Sequence, residues 1–246
     1  MCIFMSVSIL LTSLFIYKLQ LWELKMKLIK TTICAATLMT ASAAMTAEVS
    51  GNVALGTDYF FRGVDQSGGA ALSGGFDVAF DSGLYIGTWA SSLDFSAGPE
   101  LDYYIGYGGS ITDDVSFDVG YLMYGYPGDT SLDFNEIYGS VSFASTTVGM
   151  AYSDDYFDST GATTYLYVDY GFDIAENMSI GLHYGTISAD DDDAYDAVFG
   201  DTIDDYSITL STSAAGVGLD FSLINSNGSG ALDADTEFTM TISKSL

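Results

Sequence analysis

The chain has 246 residues and a formal charge of −27, with 6 Lys and Arg against 33 Asp and Glu, yet 48% of it is hydrophobic and it carries 18 Tyr, 15 Phe and 2 Trp. Disorder is excluded, because a disordered acidic chain is poor in aromatics, and nucleic acid is excluded as a partner, because phosphate binding needs clustered Lys and Arg. The 27 Gly, the scarcity of Pro (2 residues) and the aromatic content favour strands and turns.

In chain order, the first element is a leader. Met26-Lys27-Leu28-Ile29-Lys30 forms a positive n-region, residues 31–40 a short apolar stretch, and Ala41-Ser42-Ala43-Ala44 the small residues a signal peptidase requires. Residues 26–47 therefore read as a signal peptide cleaved between Ala43 and Ala47. Thr31-Thr32-Ile33 before Cys34 is a poor lipoprotein signal, so no lipid anchor is expected. Residues 1–25 read as an upstream extension from a misplaced start codon, with a membrane helix ahead of the signal as the alternative. Lys18, Lys25, Lys27 and Lys30 all precede residue 48, where Glu23 is the sole acid, so from Glu48 onward 32 acids face only Arg62 and Lys244, a net charge of −30. Cys2 and Cys34 also fall in the leader, leaving neither disulfide nor thiol nucleophile beyond it.

From residue 48 to residue 246 the chain reads as a single domain whose apolar residues recur with period two. In the first predicted strand, 49–62, Val49, Val53, Leu55, Tyr59 and Phe61 share one face and Asn52, Asp58 and Arg62 the other. In the second, 72–80, Leu72, Phe76, Val78 and Phe80 oppose Ser73 and Asp77. The third, 84–95, is ambiguous, with Leu84 and Ile86 opposing Tyr85 and Trp89. In the fourth, 101–107, Leu101, Tyr103, Ile105 and Tyr107 face away from Glu100 and Asp102. Eight more follow at 115–126, 134–144, 147–153, 163–173, 178–188, 205–212, 217–225 and 236–246, making twelve. Tight links (81–83, 112–114, 145–146, 174–177, 213–216) alternate with longer ones (63–71, 96–99, 127–133, 154–162, 189–204, 226–235).

A soluble sandwich has no reason to sort its loops by length onto opposite ends. A transmembrane up-and-down antiparallel β-barrel does, and its even strand count brings both termini to the short-turn side. Such a barrel turns its apolar face out to lipid and must close, because an open edge in hydrocarbon leaves backbone groups unpaired. Tyr59, Tyr103, Tyr107, Tyr121, Tyr138 and Tyr152 fit aromatic girdles at the bilayer interfaces. Phe238, Met240, Ile242 and Leu246 alternate to the C-terminus like the terminal strand that outer-membrane proteins present to their insertion machinery, although Leu replaces the commoner Phe.

Gly51-Asn52-Val53 followed by Thr57-Asp58-Tyr59-Phe60-Phe61-Arg62-Gly63-Val64-Asp65-Gln66-Ser67 resembles the N-terminal signature of the TorF-like porins. Gly74-Gly75-Phe76-Asp77, Gly83-Leu84-Tyr85-Ile86-Gly87-Thr88-Trp89, Tyr124-Gly125-Tyr126-Pro127-Gly128 and Tyr152-Ser153-Asp154-Asp155-Tyr156-Phe157 resemble that family's later segments, in order. The resemblance implies a Gram-negative outer-membrane barrel with pore activity and no particular solute.

The chemistry-bearing residues on the wet face are Asp58, Arg62, Asp77, Asp102, Asp118, Glu136, Asp169, His183, Asp220 and Glu237. Carboxylates lining a narrow tube focus negative potential and concentrate cations, which predicts a cation-preferring channel for small hydrophilic solutes. The alternative is a non-conducting structural or adhesive barrel in which Arg62 and several acids pack into an ion-pair network that closes the lumen. His183 is the only histidine and should point inward, since Leu182 and Tyr184 share the apolar face. It leaves a remote reading as an outer-membrane lipid hydrolase, which would need its dyad at the lipid-facing rim. No zinc, phosphate-loop or nucleophile-elbow motif is present, so neither enzyme activity nor a cofactor is expected. The loop acids Asp154, Asp155, Asp190 to Asp193 and Asp233 could share divalent cations with lipopolysaccharide, though solvation of the loops explains them as well. Asn225-Ser226-Asn227-Gly228-Ser229-Gly230 faintly resembles a calcium loop, but its closing acid, Glu237, sits one place late, and no metal is assigned. The expected partners are thus outer-membrane lipid and lipopolysaccharide, the insertion machinery and small solutes.

Overall fold

The computed structural model describes residues 46–246 other than 96, 191–194, 197, 198, 200–202 and 228–235. The expected leader, most of the 189–204 acids, Asp233 and half of the calcium-like segment lie outside the described residues. Twelve strands close into one antiparallel barrel: β1 (Ala47–Gly56), β4 (Ala71–Phe80), β5 (Leu84–Ser91), β6 (Glu100–Ser110), β7 (Val115–Gly125), β8 (Phe134–Phe143), β9 (Thr146–Ser153), β10 (Thr163–Ala175), β11 (Met178–Ala189), β12 (Asp204–Ala214), β13 (Val217–Ser226) and β14 (Glu237–Ser245). Each pairs with its neighbour in sequence, and β1 pairs with β14 from Asn52↔Ser245 to Gly56↔Thr241, which removes the free edge. Two short strands, β2 (Phe60–Phe61) and β3 (Val64–Asp65), form a separate hairpin.

The register sets the bore. Followed one way around the wall, Val49 leads through Val78, Ile86, Ile105, Tyr121, Ile137, Tyr152 and Thr164 to Ser188 on β11. Followed the other way, Gly56 leads through Thr241, Asp220 and Ser211 to Ser179 on the same strand. The seven residues between the starting points and the nine between the arrivals give a shear of about 16, hence strands tilted by about 45° around a backbone tube roughly 25 Å across. That is wide enough for side chains to line a lumen rather than fill it.

The two faces of the wall are sorted as alternation requires. Val53, Phe76 and Leu182 are 39%, 59% and 39% exposed, and Ile105, Ile137, Val148, Leu166, Ile208 and Leu223 join them on the outside. Asp102 and Glu136, in the opposite phase, are only 6% and 2% exposed. A belt of exposed aliphatic and aromatic side chains around the whole barrel is far larger than a soluble surface tolerates, and hydrocarbon is its stable surroundings. Tyr103, Tyr107, Tyr121 and Tyr152 belong to this outer face.

Two expectations are corrected and one ambiguity is resolved. The first wall strand stops at Gly56 instead of running to Arg62, and the chain then folds inward as the β2–β3 hairpin. Asp58, Tyr59, Phe61 and Arg62 therefore leave the wall, and Tyr59 is no girdle residue, because its hydroxyl donates to Glu100 Oε1 at 2.9 Å. Tyr138 is not one either: it shares the phase of Glu136, and its hydroxyl lies 2.6 Å from that of Tyr85 inside the barrel. The ambiguous strand, β5, turns Tyr85 and Trp89 inward, where Tyr85 donates to Asp118 and Trp89 packs edge-on against Tyr59.

Inward tyrosines fit because glycines on adjacent strands make room for them. A Cβ at Gly106 would lie 2.2 Å from the Tyr85 ring, one at Gly120 2.3 Å from Tyr138, and one at Gly149 2.3 Å from Tyr167. These rings occupy the space that a side chain at each glycine would take.

Candidate functional site

The long-loop mouth of the barrel is occupied by the β2–β3 hairpin. Its turn uses two left-handed residues, Arg62 (φ 49°) and Gly63 (φ 76°), the first uncommon for a side chain that carries a Cβ. The turn reaches across the lumen. Arg62 Nη2 donates to Glu136 Oε2 on β8 at 2.9 Å and Nη1 lies 2.8 Å from Glu136 Oε1, with both side chains almost fully buried. The guanidinium sits 4.2 Å from the centroid of Tyr165 and 4.7 Å from that of Phe61, a cation–π sandwich. On the far side, Ser226 Oγ on β13 donates to the Gly63 carbonyl at 3.2 Å.

Around this latch the loops and the adjoining strand ends supply an aromatic packing layer. Tyr124 and Phe134 stack at 4.1 Å, Phe134 meets Tyr156 at 4.8 Å, and Phe95, Tyr126 and Phe157 pack edge-on or tilted beside them. A cavity of about 400 Å³ remains between the hairpin and these rings. Burial disfavours the Arg62 charge, yet the Glu136 carboxylate and the Tyr156 and Tyr124 hydroxyls more than restore it, holding the guanidinium well above its ordinary value. Burial, opposed by Arg62, pushes the Tyr156 hydroxyl up to about 12, and burial together with Glu100 raises that of Tyr59.

Beside the latch lie more carboxylates than one Arg can neutralise. Glu100 accepts from Tyr59 and Tyr126, Glu136 also accepts from Tyr124, and Asp102 Oδ1 has no hydrogen-bond partner among the described residues. Deeper in the lumen, His183 Nδ1 lies 2.6 Å from Asp169 and Nε2 2.9 Å from both Asp205 and the Tyr165 hydroxyl. His183 thus joins an exposed carboxylate to a buried one. It stands on the inner wall, away from the lipid-facing rim that the hydrolase reading needs, and both ring nitrogens are engaged.

The other sequence candidates are placed as follows. Asp77 accepts from Tyr104 and Asp118 from Tyr85, both on the inner wall. Asp58 and Asp220 line a second cavity, of about 310 Å³, with Ser73, Thr209, Ser222 and Thr239. Glu237 stands in inward phase at the rim of β14 and is exposed. The structure therefore brings Arg62, Glu136, Asp102 and also Glu100 to one mouth, Asp169 and His183 to Asp205, and Asp58 to Asp220. Sequence reasoning placed Glu100 on the wet face without counting it among the candidates, and passed over Asp205 and Tyr165. Phase alone marks them, since Glu100 alternates with Asp102, Asp205 with Ser207 and Thr209, and Tyr165 with Tyr167 and Asp169.

Closed antiparallel pairing of twelve strands, an apolar exterior, a polar interior and an inward hairpin define a β-barrel of the porin fold. Residues 40–246 match the family model described as a bacterial protein of unknown function (Gcw_chp), and the chain belongs to that family. No curated protein matches it by sequence. Among solved structures, it is similar to a KdgM porin at 11% identity, covering 80% of this chain and 99% of that one with a TM-score of 0.54. It is also similar to a KdgM porin in complex with disordered oligogalacturonate (10%, 82% and 99%, 0.51) and to a NanC porin (12%, 78% and 97%, 0.52).

Proposed function

We propose that this protein is an outer-membrane channel for passive diffusion of small hydrophilic solutes, with a preference for cations, exported by its signal peptide. The observation that carries the reading is the inversion of the wall: aliphatic side chains cover its outside while carboxylates, hydroxyls and tyrosines occupy its inside. The resemblance of residues 51–67 to the TorF-like porins agrees with it. KdgM was solved with an oligogalacturonate, a polyanion. A chain carrying −30 beyond its leader, with a single Arg in its lumen, repels such a substrate, and the same field concentrates cations. Planar-bilayer recording of the reconstituted protein in a KCl gradient tests this: discrete conductance with a reversal potential displaced toward that of K⁺ is expected. Absence of conductance, or a displacement toward Cl⁻, removes it.

The docked hairpin favours a second reading, a barrel shut at its long-loop mouth that serves a structural or adhesive role. In that case no current flows until the Arg62–Glu136 latch is broken.

A further inference from the structure

The lumen has two unlike halves. On β5 through β11 large tyrosines lie over inward glycines and are tied to their neighbours: Tyr85 bonds to Tyr138 and Asp118, Tyr104 reaches Asp77 on β4, and Tyr165 meets His183. The hairpin leans on this half through Glu136 and the Tyr165 ring. On β12, β13, β14, β1 and β4 most inward positions are small or hydroxylic, including Ser207, Thr209, Ser222, Thr239, Thr241 and Ser73, with Asp205, Asp220, Ile224, Glu237 and Asp77 among the exceptions. Only short bonds such as Thr209 to Ser222 link them. The 310 Å³ cavity lies on this side, bounded by the chain entering the hairpin at Gly56, Asp58, Tyr59 and Phe60. Toward the short-turn end the same wall stays accessible, since Ser50 and Asn52, in inward phase on β1, are exposed.

We infer that small hydrated cations cross off-centre, along the hydroxyl strip of β12–β13–β14–β1–β4, and that Asp58 and Asp220 are the charges that select them. The inference rests on the channel reading and narrows it. Hydroxyls exchange readily with the water shell of an ion without holding it, and conduction needs sites weak enough to leave. Asp77, though on β4, and Asp118 each hold a tyrosine hydroxyl, Asp205 on β12 is tied to Tyr165 and His183, Glu136 is committed to Arg62, and Asp102 is buried beside Trp89 and Tyr124, so these carboxylates do not offer their charge to the strip. Asp58 and Asp220 do, from opposite sides: one on the inserted segment, one on the wall.

The test uses the full chain with Cys2→Ser and Cys34→Ser, which leaves no native thiol. Ser222→Cys on the strip and Ser140→Cys on the tyrosine half are each reconstituted in liposomes and treated with a small cationic methanethiosulfonate, labelling being read by mass. Ser222→Cys is expected to react at least about ten-fold faster and to lose current on reaction. In parallel, Asp220→Asn and Asp58→Asn are each expected to lower the K⁺-over-Cl⁻ permeability ratio on the order of sixteen-fold, because one unit charge about 5 Å from the path at the dielectric of water favours K⁺ and disfavours Cl⁻ by about four-fold each. Current in the unmodified protein, combined with equal or reversed labelling or with an unchanged ratio in Asp220→Asn, overturns the path while leaving the channel. No current in the unmodified protein removes both.

Discussion

Breaking the latch gives the sharpest expected outcome, because Arg62 is also a protease site. The described residues contain two basic side chains other than His183, Arg62 and Lys244, so trypsin can cut near the hairpin only after Arg62. A protease needs its target extended, whereas Arg62 is left-handed and clasped by Glu136, Tyr165 and Phe61. Cleavage therefore reports the population of the undocked hairpin when closing outpaces cutting. Glu136→Gln keeps a hydrogen-bonding side chain but removes the charge facing a buried guanidinium. Losing one partner of a buried ion pair costs about 3–5 kcal/mol. With Glu100 and Asp102 close enough to compensate in part, the lower end applies. About 3 kcal/mol raises the undocked population roughly a hundred-fold. In vesicles with trypsin on the accessible side, the first-order rate of the Arg62 cut, followed by mass, is expected to rise by that factor, while the heat-shifted mobility typical of a folded barrel persists. A change of less than about three-fold would refute the claim that the Arg62–Glu136 pair holds the hairpin.

Other outcomes follow from the wall itself. Leu182→Arg, on the exposed outer face near the middle of β11, is expected to cost about 2–4 kcal/mol in urea unfolding from vesicles, whereas Ser142→Arg on the inner face is tolerated; equal costs would contradict the orientation of the wall. Gly120→Ala would place a Cβ 2.3 Å from the Tyr138 ring, whose hydroxyl is tied to Tyr85; a loss of about 1–3 kcal/mol is expected from the overpacking, visible as a lower urea midpoint, and an unchanged midpoint would show that the ring is free to move. Tyr59→Phe removes one of two donors to the buried Glu100 carboxylate and leaves Tyr126 alone, at a cost of about 1.5–3 kcal/mol. Because Trp89 is the one tryptophan among the described residues and packs 5.3 Å from Tyr59, its emission should shift with the same substitution; an unshifted spectrum would argue against that contact.

The period of two carried most of the fold. It assigned twelve wall strands, separated turns from loops, and put Val53 and Phe76 outside with Asp102 and Glu136 inside. It failed where a chain can leave the wall without breaking the pattern. Tyr59 and Phe61 alternate with Val53 and Leu55 as if β1 continued, because a hairpin alternates too; only Thr57-Asp58 and Arg62-Gly63, polar and turn-prone, hinted at the break. Tyr138 misled by residue type, since tyrosine suits both a bilayer interface and a lumen, although its phase with Glu136 was decisive. Arg62 and Glu136 were each recognisable as candidates, but their pairing depends on a hairpin crossing to β8, and a contact between residues 74 apart leaves no local trace. The unequal halves of the lumen were legible in principle: Ser, Thr and Asp recur in phase through residues 205–213 and 237–245, where residues 85–138 place Tyr, Trp and Glu.

The reach of the hairpin also bears on assembly. The segment carrying Arg62 leaves the first strand of the wall, yet its anchors stand on the eighth numbered strand at Glu136 and on the thirteenth at Ser226. The segment meets Glu100 and Glu136 once half of the wall has been laid down, but Ser226 only with the eleventh wall strand. The Arg62 clasp can thus form on a half-built wall and hold the segment there, and the Ser226 contact then marks the molecule as finished.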